Sequence, residues 1–246
     1  TYRIKDWCKD TINSQLIELK DFEISRYLVT NAQFAYFIKA NGYDFSQLWW
    51  DKTGKEWLRY SQQYEPSLWN DKRFGITCPN KPVVGIIWYE AIAFCQWLTQ
   101  MLADNYVYTL PSEAEWENAA RGLSRRIYPW GNDTPDLEHA NYAQVHNSTT
   151  PVGCFTRGKT PEGILDLAGN VWEWTRSEYG PYPYDTKNDR VKLESPLSGS
   201  VSLRGGSWVP WGWAASSARS RPSAWPWRSP RWNSWWRSCR PSSSPS

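Results

Sequence analysis

The sequence predicts three amphipathic helices, and all three lie in the first half of the chain. A capping box at Thr30 opens the first, which the spacing of apolar residues extends over 31–41. The second covers 88–98, where apolar side chains share one face. Ser112 caps the third and Gly122 ends it. Any fold of this chain therefore has to combine a helical first half with a second half in which no helix is predicted.

The second half of the chain lacks helical periodicity. From Tyr128 onward it is rich in Gly, Pro, Asn and Trp, with short apolar pieces at 171–174 and 201–203. This composition is typical of irregular loops and short strands. Helices followed by loops and strands predict an α+β fold, which we expect to form a single domain over residues 1–246.

The length and the cysteine content restrict the class of protein. A chain of 246 residues can bury a full core without disulfide or metal support. No apolar run reaches the roughly eighteen residues of a membrane span, and residues 1–9 are polar and charged, unlike a signal peptide. The five cysteines are odd in number and show no CxxC spacing, which argues against a disulfide framework. We therefore expect a cytoplasmic protein.

The composition changes abruptly after Trp208. Seven arginines but no lysine or acidic residue follow Glu194, so residues 195–246 carry a charge of +7 and the rest carries −4. Only nine residue types occur from Val209 onward, and eight of the 19 tryptophans lie between Trp208 and Trp236. Because interfaces favour Trp and Arg as anchors, this segment predicts a binding surface. We expect the tryptophans to be divided evenly between core and surface, with Trp208 in the core and the later ones more exposed.

Few residues in the chain suggest catalysis. Glu173 lies between Trp172 and Trp174, and a carboxylate flanked by indoles has to be paired or bind a cation when it is buried. This favours an ion pair or a calcium ligand over a catalytic acid. His139 and His146 are off the i, i+4 spacing of two ligands on one helix face, so we expect solvated loop residues.

Two further groups have ordinary structural explanations. The three glutamates Glu113, Glu115 and Glu117 fall in the first turns of a predicted helix, where negative charge complements the helix dipole. The pair Gly205-Gly206 has no downstream helix signature, so a phosphate-binding loop is not predicted.

An ordered set of motifs resembles the formylglycine-generating enzyme (sulfatase-modifying factor) family. The resemblance covers residues 20–208 and implies a C-type-lectin-like fold, in the variant with long irregular segments. The motifs are YLVTN at 27–31, PVVG at 82–85, WYEA at 88–91, LPSEAEWENAARG at 110–122, YPWGN at 128–132, ANY at 140–142, PVG at 151–153, DLAGNVWEW at 166–174 and LRGGSW at 203–208.

The enzymes of this family imply chemistry that the chain does not match. The copper-using oxidases have two cysteines soon after the Gly-Gly-Ser-aromatic motif, at positions that fall near Pro210 and Ala215 here. Copper(I) needs soft thiolate ligands, and the next thiol is Cys239. The related iron-dependent sulfoxide synthases require histidines from an added helical domain, whereas this chain has two histidines. The resemblance therefore implies a protein without enzyme activity.

A second branch of the resemblance is the variable protein of diversity-generating retroelements. In these proteins, error-prone reverse transcription rewrites the segment after Leu-Arg-Gly-Gly-Ser-Trp, and the changed side chains form a ligand-binding surface. The corresponding variable segment here is 209–240, and the expected ligand is a protein. The ligand-binding residues implied are Trp211, Trp213, Trp225, Trp227, Arg228, Arg231 and Trp232.

The sequence also suggests a metal site, a second function and a second origin for the variable segment. Relatives often carry calcium near the Asn-Val-Trp-Glu-Trp motif, which implies structural calcium at Asn170, Val171 and Glu173, although no cofactor is required. Bases stack on indoles and phosphates pair with arginine, so nucleic-acid binding is a less favoured function. Codons for Gly-Phe-Arg-Val-Val-Leu read one base out of register can give Trp-Phe-Ser-Cys-Arg-Pro, which is close to residues 236–241. The variable segment is therefore either a selected or a frameshifted variant.

Overall fold

Four helices and two small antiparallel sheets make up the regular structure. The computed structural model describes residues 2–5, 16–124, 126–179 and 201–209. The helices are α1 (Asn31–Lys39), α2 (Lys52–Ser61), α3 (Trp88–Leu102) and α4 (Glu113–Arg121), and a single 3₁₀ turn covers Thr156–Gly158. Strand β1 (Tyr2–Lys5) pairs with β2 (Leu16–Leu19), and β3 (Glu173–Glu178) pairs with β4 (Val201–Arg204).

The three predicted helices are confirmed, with two changes of length, since α1 ends at Lys39 and not at residue 41. Capping boxes at Thr30 and Ser112 open α1 and α4 as predicted. Helix α3 runs four residues beyond the predicted end at Leu98, because Ala103 is the residue that adopts the left-handed conformation at its end.

Helix α2 is absent from the sequence prediction. Asp51 caps it by accepting a hydrogen bond from the Gly54 amide. The N3 position of a capping box, where Glu or Gln would stand, is occupied by that glycine, so the signal is weak. Glycine also disfavours a helix interior by about 1 kcal/mol relative to alanine. The helix is therefore held by tertiary packing, in which Leu58 is buried.

Strands β3 and β4 form where the two apolar pieces of the second half were predicted. Glu173 pairs with Arg204 and Trp174 with Leu203, and an irregularity follows before Glu178 pairs with Val201. Helix α4 contacts both strands. This layer of one helix on a two-stranded ribbon, beside the helices α1–α3, gives the predicted α+β fold.

Aromatic side chains fill the core between α1, α2 and α3. Phe34 stacks on Phe94 with ring centroids 5.2 Å apart, and Phe37 meets Trp97 edge to face at 5.6 Å. Trp49 also contacts Phe37. Within the described residues six tryptophans are buried and five are half-buried, and the tryptophans after Trp208 lie outside this part of the chain.

His139 corrects one prediction. It is buried rather than solvated, with its ring 4.7 Å from that of Trp130 and its Nδ1 2.7 Å from a carboxylate oxygen of Asp136. The loop sequence gave no sign of this, because Trp130 lies nine residues away along the chain. His146 is exposed, as predicted.

A carboxylate lies inside the aromatic core. Glu90 is fully buried in the first turn of α3, where it accepts hydrogen bonds from the Tyr43 hydroxyl at 2.5 Å and from the Ile87 amide at 2.7 Å. Burial raises the pKa of Glu90 to about 7, against the lowering effect of both hydrogen bonds. The same burial, together with the Glu90 charge, raises the pKa of Tyr43.

We expect Glu90 to make folding stability fall as the pH rises from 4.5 to 7. The folded protein binds more protons than the unfolded chain in this window, because the Glu90 pKa is raised from 4.5 to about 7. The effect is about 3 kcal/mol over the window and levels off above it. Urea unfolding at several pH values measures it. Glu90→Gln should flatten the slope, whereas Glu56→Gln, on the exposed face of α2, should leave it unchanged. Equal slopes in all three proteins would contradict the assignment.

Candidate ligand-binding site

The seven residues predicted to bind ligand lie outside the described residues. The same holds for the variable segment 209–240, apart from Val209. The structure does describe the surface from which this segment leaves the fold. It consists of Trp208, the loop that holds Phe74, and the loops around Asn141 and Asn170.

Trp208 is attached to three separate parts of the chain. Its amide donates to the Asn170 carbonyl at 3.1 Å, and its own carbonyl accepts from the Gln144 amide at 2.8 Å. Its ring lies 6.2 Å from that of Phe74. Trp208 is half-buried, so it lies at the edge of the core and not inside it as predicted.

The buried side chain of Asn170 connects the loops around Trp208. It is 1% exposed and has a positive φ of 60°. Its Oδ1 accepts from the Thr150 amide at 3.0 Å and from Asn141 Nδ2 at 3.3 Å, while its Nδ2 donates to the Thr150 carbonyl at 3.2 Å. The Asn170 amide also donates to the Asn141 carbonyl at 2.8 Å. One side chain thus joins the loop at 141–150 to the residues that hold Trp208.

A second buried asparagine holds the Phe74 loop. Asn31, 1% exposed at the start of α1, donates through Nδ2 to the carbonyls of Phe74, Gly75 and Cys78 at 2.7–3.0 Å. Arg73 lies over the Phe74 ring at 4.8 Å. Lys81 Nζ donates to the Arg73 carbonyl and to Ser148 Oγ, which links this loop to 141–150. Hydrogen bonds from Asn31 and Lys81 therefore hold the Phe74 loop, which Trp208 contacts.

Ion pairs attach α4 to the β3–β4 ribbon. Glu113 is 4% exposed and pairs with Arg204, and its Oε2 accepts a hydrogen bond from Ser202 Oγ at 3.2 Å. Glu115 completes the capping box and also pairs with Arg176 at 2.8 Å. The prediction that these glutamates only complement the helix dipole is therefore incomplete. Sequence reasoning missed both arginines because the partners are far apart along the chain.

Glu173 is half-buried, as predicted, and the hydrogen bond found at its carboxylate comes from an indole and not from a basic side chain. Its Oε2 accepts from Trp116 Nε1 at 3.0 Å. Its Oε1 is closed to solvent and has no hydrogen-bond partner within the part of the chain that the structure describes. Burial raises the pKa of Glu173 to about 8, and the nearby charge of Asp166 raises it further.

The Oε1 atom of Glu173 and the carbonyl oxygen of Val171 both lie close to Gly205. A Cβ placed on this glycine would lie 3.0 Å from Glu173 Oε1 and 3.5 Å from the Val171 carbonyl oxygen. Val171 and Glu173 thus fit the predicted calcium site, since calcium takes carbonyl and carboxylate oxygens. Asn170 fits less well, because its Oδ1 and its carbonyl already accept hydrogen bonds. Among the described residues, no group of three or more His, Cys, Asp or Glu side chains could hold a metal.

Comparison with known proteins identifies the family of this chain. The sequence matches the Sulfatase-modifying factor enzyme 1-like domain over residues 5–235, and the chain belongs to this family. Its fold is accordingly the C-type-lectin-like fold of the formylglycine-generating enzymes. The match continues past Trp208, well into the segment whose composition changes.

The similar proteins include enzymes and a variable protein. A hercynine oxygenase of Mycolicibacterium smegmatis is 32% identical over 80% of this chain, which spans about half (48%) of that protein. A formylglycine-generating enzyme of Streptomyces coelicolor is 32% identical over 78% of the chain and 69% of its own length. Among solved structures, Treponema denticola variable protein 1 has a TM-score of 0.51 and 23% identity, with 85% of this chain and 82% of that one covered. This last likeness concerns the fold.

No helix in the described ranges is long and apolar enough to cross a membrane.

The packing over Gly205 predicts different effects at two neighbouring glycines. Gly205 and Gly206 both have a positive φ, of 86° and 80°, so alanine at either position should cost about 1–2 kcal/mol in backbone strain. Nothing lies within 4 Å of a Cβ on Gly206, whereas a Cβ on Gly205 would press on Glu173. Gly205→Ala should therefore destabilise by about 1–3 kcal/mol more than Gly206→Ala in urea unfolding. Equal losses would show that the Glu173 carboxylate does not occupy this position.

Proposed function

We propose that this protein is a non-enzymatic ligand-binding variable protein of a diversity-generating retroelement. The observation that carries the proposal is the position of Trp208. The composition of the chain changes at the residue whose backbone Asn170 and Gln144 hold through hydrogen bonds. A binding segment that tolerates many sequences needs a fixed starting position in the scaffold. Its own side chains differ between variants, so they cannot position it.

In this proposal, residues 1–246 form one domain and its ligand-binding segment is 209–240. Indole and guanidinium groups supply the contact area and the planar hydrogen bonding that protein interfaces use. The +7 charge after Glu194 suits a partner protein with an acidic surface. The residues proposed to contact it are Trp211, Trp213, Trp225, Trp227, Arg228, Arg231 and Trp232.

The thiol chemistry of the chain supports a non-enzymatic function. Neither Pro210 nor Ala215 can supply a thiolate where the copper oxidases have cysteines. Burial raises the pKa of Cys95 to about 12, and burial and the charge of Asp166 raise that of Cys154. Without a metal, both thiols therefore favour the protonated form. Copper- and thiol-dependent oxygen consumption by the purified protein would contradict this part of the proposal.

We expect the coding DNA to contain the mark of the retroelement. A near-identical repeat of the codons after Leu203 should lie close by, differ mainly at adenines, and stand beside a reverse transcriptase gene. Sequencing the genomic neighbourhood tests this. The adjacent reading frame of the same region shows whether residues 236–241 come from a frameshift. A neighbourhood without the repeat would overturn the retroelement assignment, and salt-sensitive binding of single-stranded DNA would then favour the nucleic-acid alternative.

We also propose that calcium binds at Glu173 and the Val171 carbonyl. The support is the convergence of the two oxygens over Gly205 and the unpartnered, buried Oε1 of Glu173. A calcium ion there would stabilise a carboxylate whose ionised form is otherwise disfavoured by burial. Asn170 would act beside this site by holding the loop in place through its hydrogen bonds.

Calcium should therefore raise the melting temperature, and Glu173→Gln should remove the effect. At a calcium concentration about 100 times the Kd, binding to the native state adds about 2.7 kcal/mol to the unfolding free energy. Thermal unfolding with calcium and with a chelator measures the difference. Glu56→Gln, which changes an exposed glutamate on α2, is the matched control and should keep the response. Identical melting curves for the unaltered protein under both conditions would remove calcium from the proposal.

A further inference from the structure

The end of helix α1 contains a dipeptide that is chemically labile in an unfolded chain. Asn41 is followed by Gly42, and asparagine loses its side-chain amide fastest before glycine, because no Cβ hinders attack by the next backbone nitrogen. Asn41 is exposed to solvent, whereas Gly42 is buried. The ligand-binding function uses neither residue.

The hydrogen bonds of a Schellman motif hold this dipeptide at the helix end. The Asn41 amide donates to the Ile38 carbonyl at 3.1 Å, and the Gly42 amide donates to the Phe37 carbonyl at 2.9 Å. Asn41 has a positive φ of 55°, which is the left-handed conformation that this motif requires. The nitrogen that would attack the Asn41 side chain is therefore already engaged as a hydrogen-bond donor.

The carbonyl of Gly42 is held by the aromatic core. It accepts hydrogen bonds from Trp49 Nε1 at 2.9 Å and from Trp50 Nε1 at 2.7 Å, and both indoles are buried. A Cβ on Gly42 would lie 2.5 Å from the Phe37 carbonyl oxygen and 2.7 Å from its ring, so no other residue fits here without a shift. The fold thus requires glycine at the position that makes Asn41 labile, and it holds both the amide and the carbonyl of that glycine.

We propose that Asn41 is a deamidation site that becomes reactive only when the end of α1 unfolds locally. In the opened state the Gly42 nitrogen gives its proton to a base in solution and forms a bond to Asn41 Cγ. The Cγ–Nδ2 bond breaks, Nδ2 takes a proton from water and leaves as ammonia, and a succinimide ring remains. Water then adds to one of the two ring carbonyls and opens the ring, which leaves aspartate or isoaspartate at position 41.

Isoaspartate would make the opening of the helix end permanent. It adds one carbon to the backbone between positions 41 and 42, so the Gly42 carbonyl no longer reaches the position where both indoles donate to it. A buried N–H group without an acceptor is unfavourable. The reaction thereby converts a transient opening into a lasting loss of core stability, which protein that stays folded avoids.

Peptide mass spectrometry of the whole protein tests the site. Samples are kept at mildly alkaline pH, either folded in buffer or unfolded in guanidinium chloride, and are then digested. The peptide that contains Asn41 is resolved into its asparagine, aspartate and isoaspartate forms. The folded protein should react at least about tenfold more slowly, which is the ratio that an opening free energy of about 1.4 kcal/mol gives. Equal rates in the two states would overturn the proposal.

Two core substitutions separate local opening from general destabilisation. Trp50→Phe removes one N–H donor to the Gly42 carbonyl. Trp97→Phe is the matched control, because Trp97 belongs to the same core and its Nε1 has no hydrogen-bond partner among the described residues. After subtraction of the unfolded-state rate multiplied by each variant's unfolded fraction, Trp50→Phe should react about fivefold faster than Trp97→Phe, the factor that one hydrogen bond of about 1 kcal/mol gives. Equal corrected rates would contradict gating by the helix end.

Asn41→Gly tests the consequence of the reaction. Glycine also suits the left-handed conformation and has no side-chain amide. After incubation in guanidinium chloride and refolding, the unaltered protein should melt at a lower temperature than fresh protein, whereas Asn41→Gly should keep its melting temperature. An equal loss in both proteins would overturn the effect assigned to isoaspartate.

Discussion

The arrangement of the site depends on one buried amide, that of Asn170. Its carbonyl and amide groups satisfy backbone and side-chain partners in loops that have no regular structure of their own. A buried polar group left unpaired costs about 1–3 kcal/mol, so the loops stay where these partners meet. The left-handed backbone at this position also suits asparagine better than most residues. These hydrogen bonds thereby fix the positions of loops that have no regular secondary structure to hold them.

Three glutamates, two of them buried and one half-buried, show three ways of accommodating a carboxylate. Glu113 has a guanidinium partner, Glu90 has a phenol and a backbone amide, and Glu173 has one indole N–H. The pKa of the latter two is raised, to about 7 and about 8, because neutral donors do not compensate fully for lost hydration. The carboxylate with the fewest described partners is also the one beside the Val171 carbonyl. This coincidence is why calcium is proposed at Glu173 and not at Glu90.

Local signals explain which elements could be predicted from the sequence. Helices α1 and α4 have capping boxes and end signals within a dozen residues, and both were predicted correctly. Helix α2 has a glycine in its first turn, so its stability comes from contacts that no local pattern reveals. Trp172 and Trp174 indicated that Glu173 is partly buried, because neighbours in sequence are neighbours in space. They gave no sign of Trp116, which is 57 residues away along the chain.

The same distinction applies to the binding site. Motif spacing predicts that the scaffold ends at Trp208, yet the contacts of this residue with Phe74 and Gln144 arise only when distant loops fold together. All three of its contacts named above come from residues that precede it. Two of the three are backbone hydrogen bonds, which do not depend on side-chain identity. The start of the proposed binding segment is therefore held by contacts with residues that precede it.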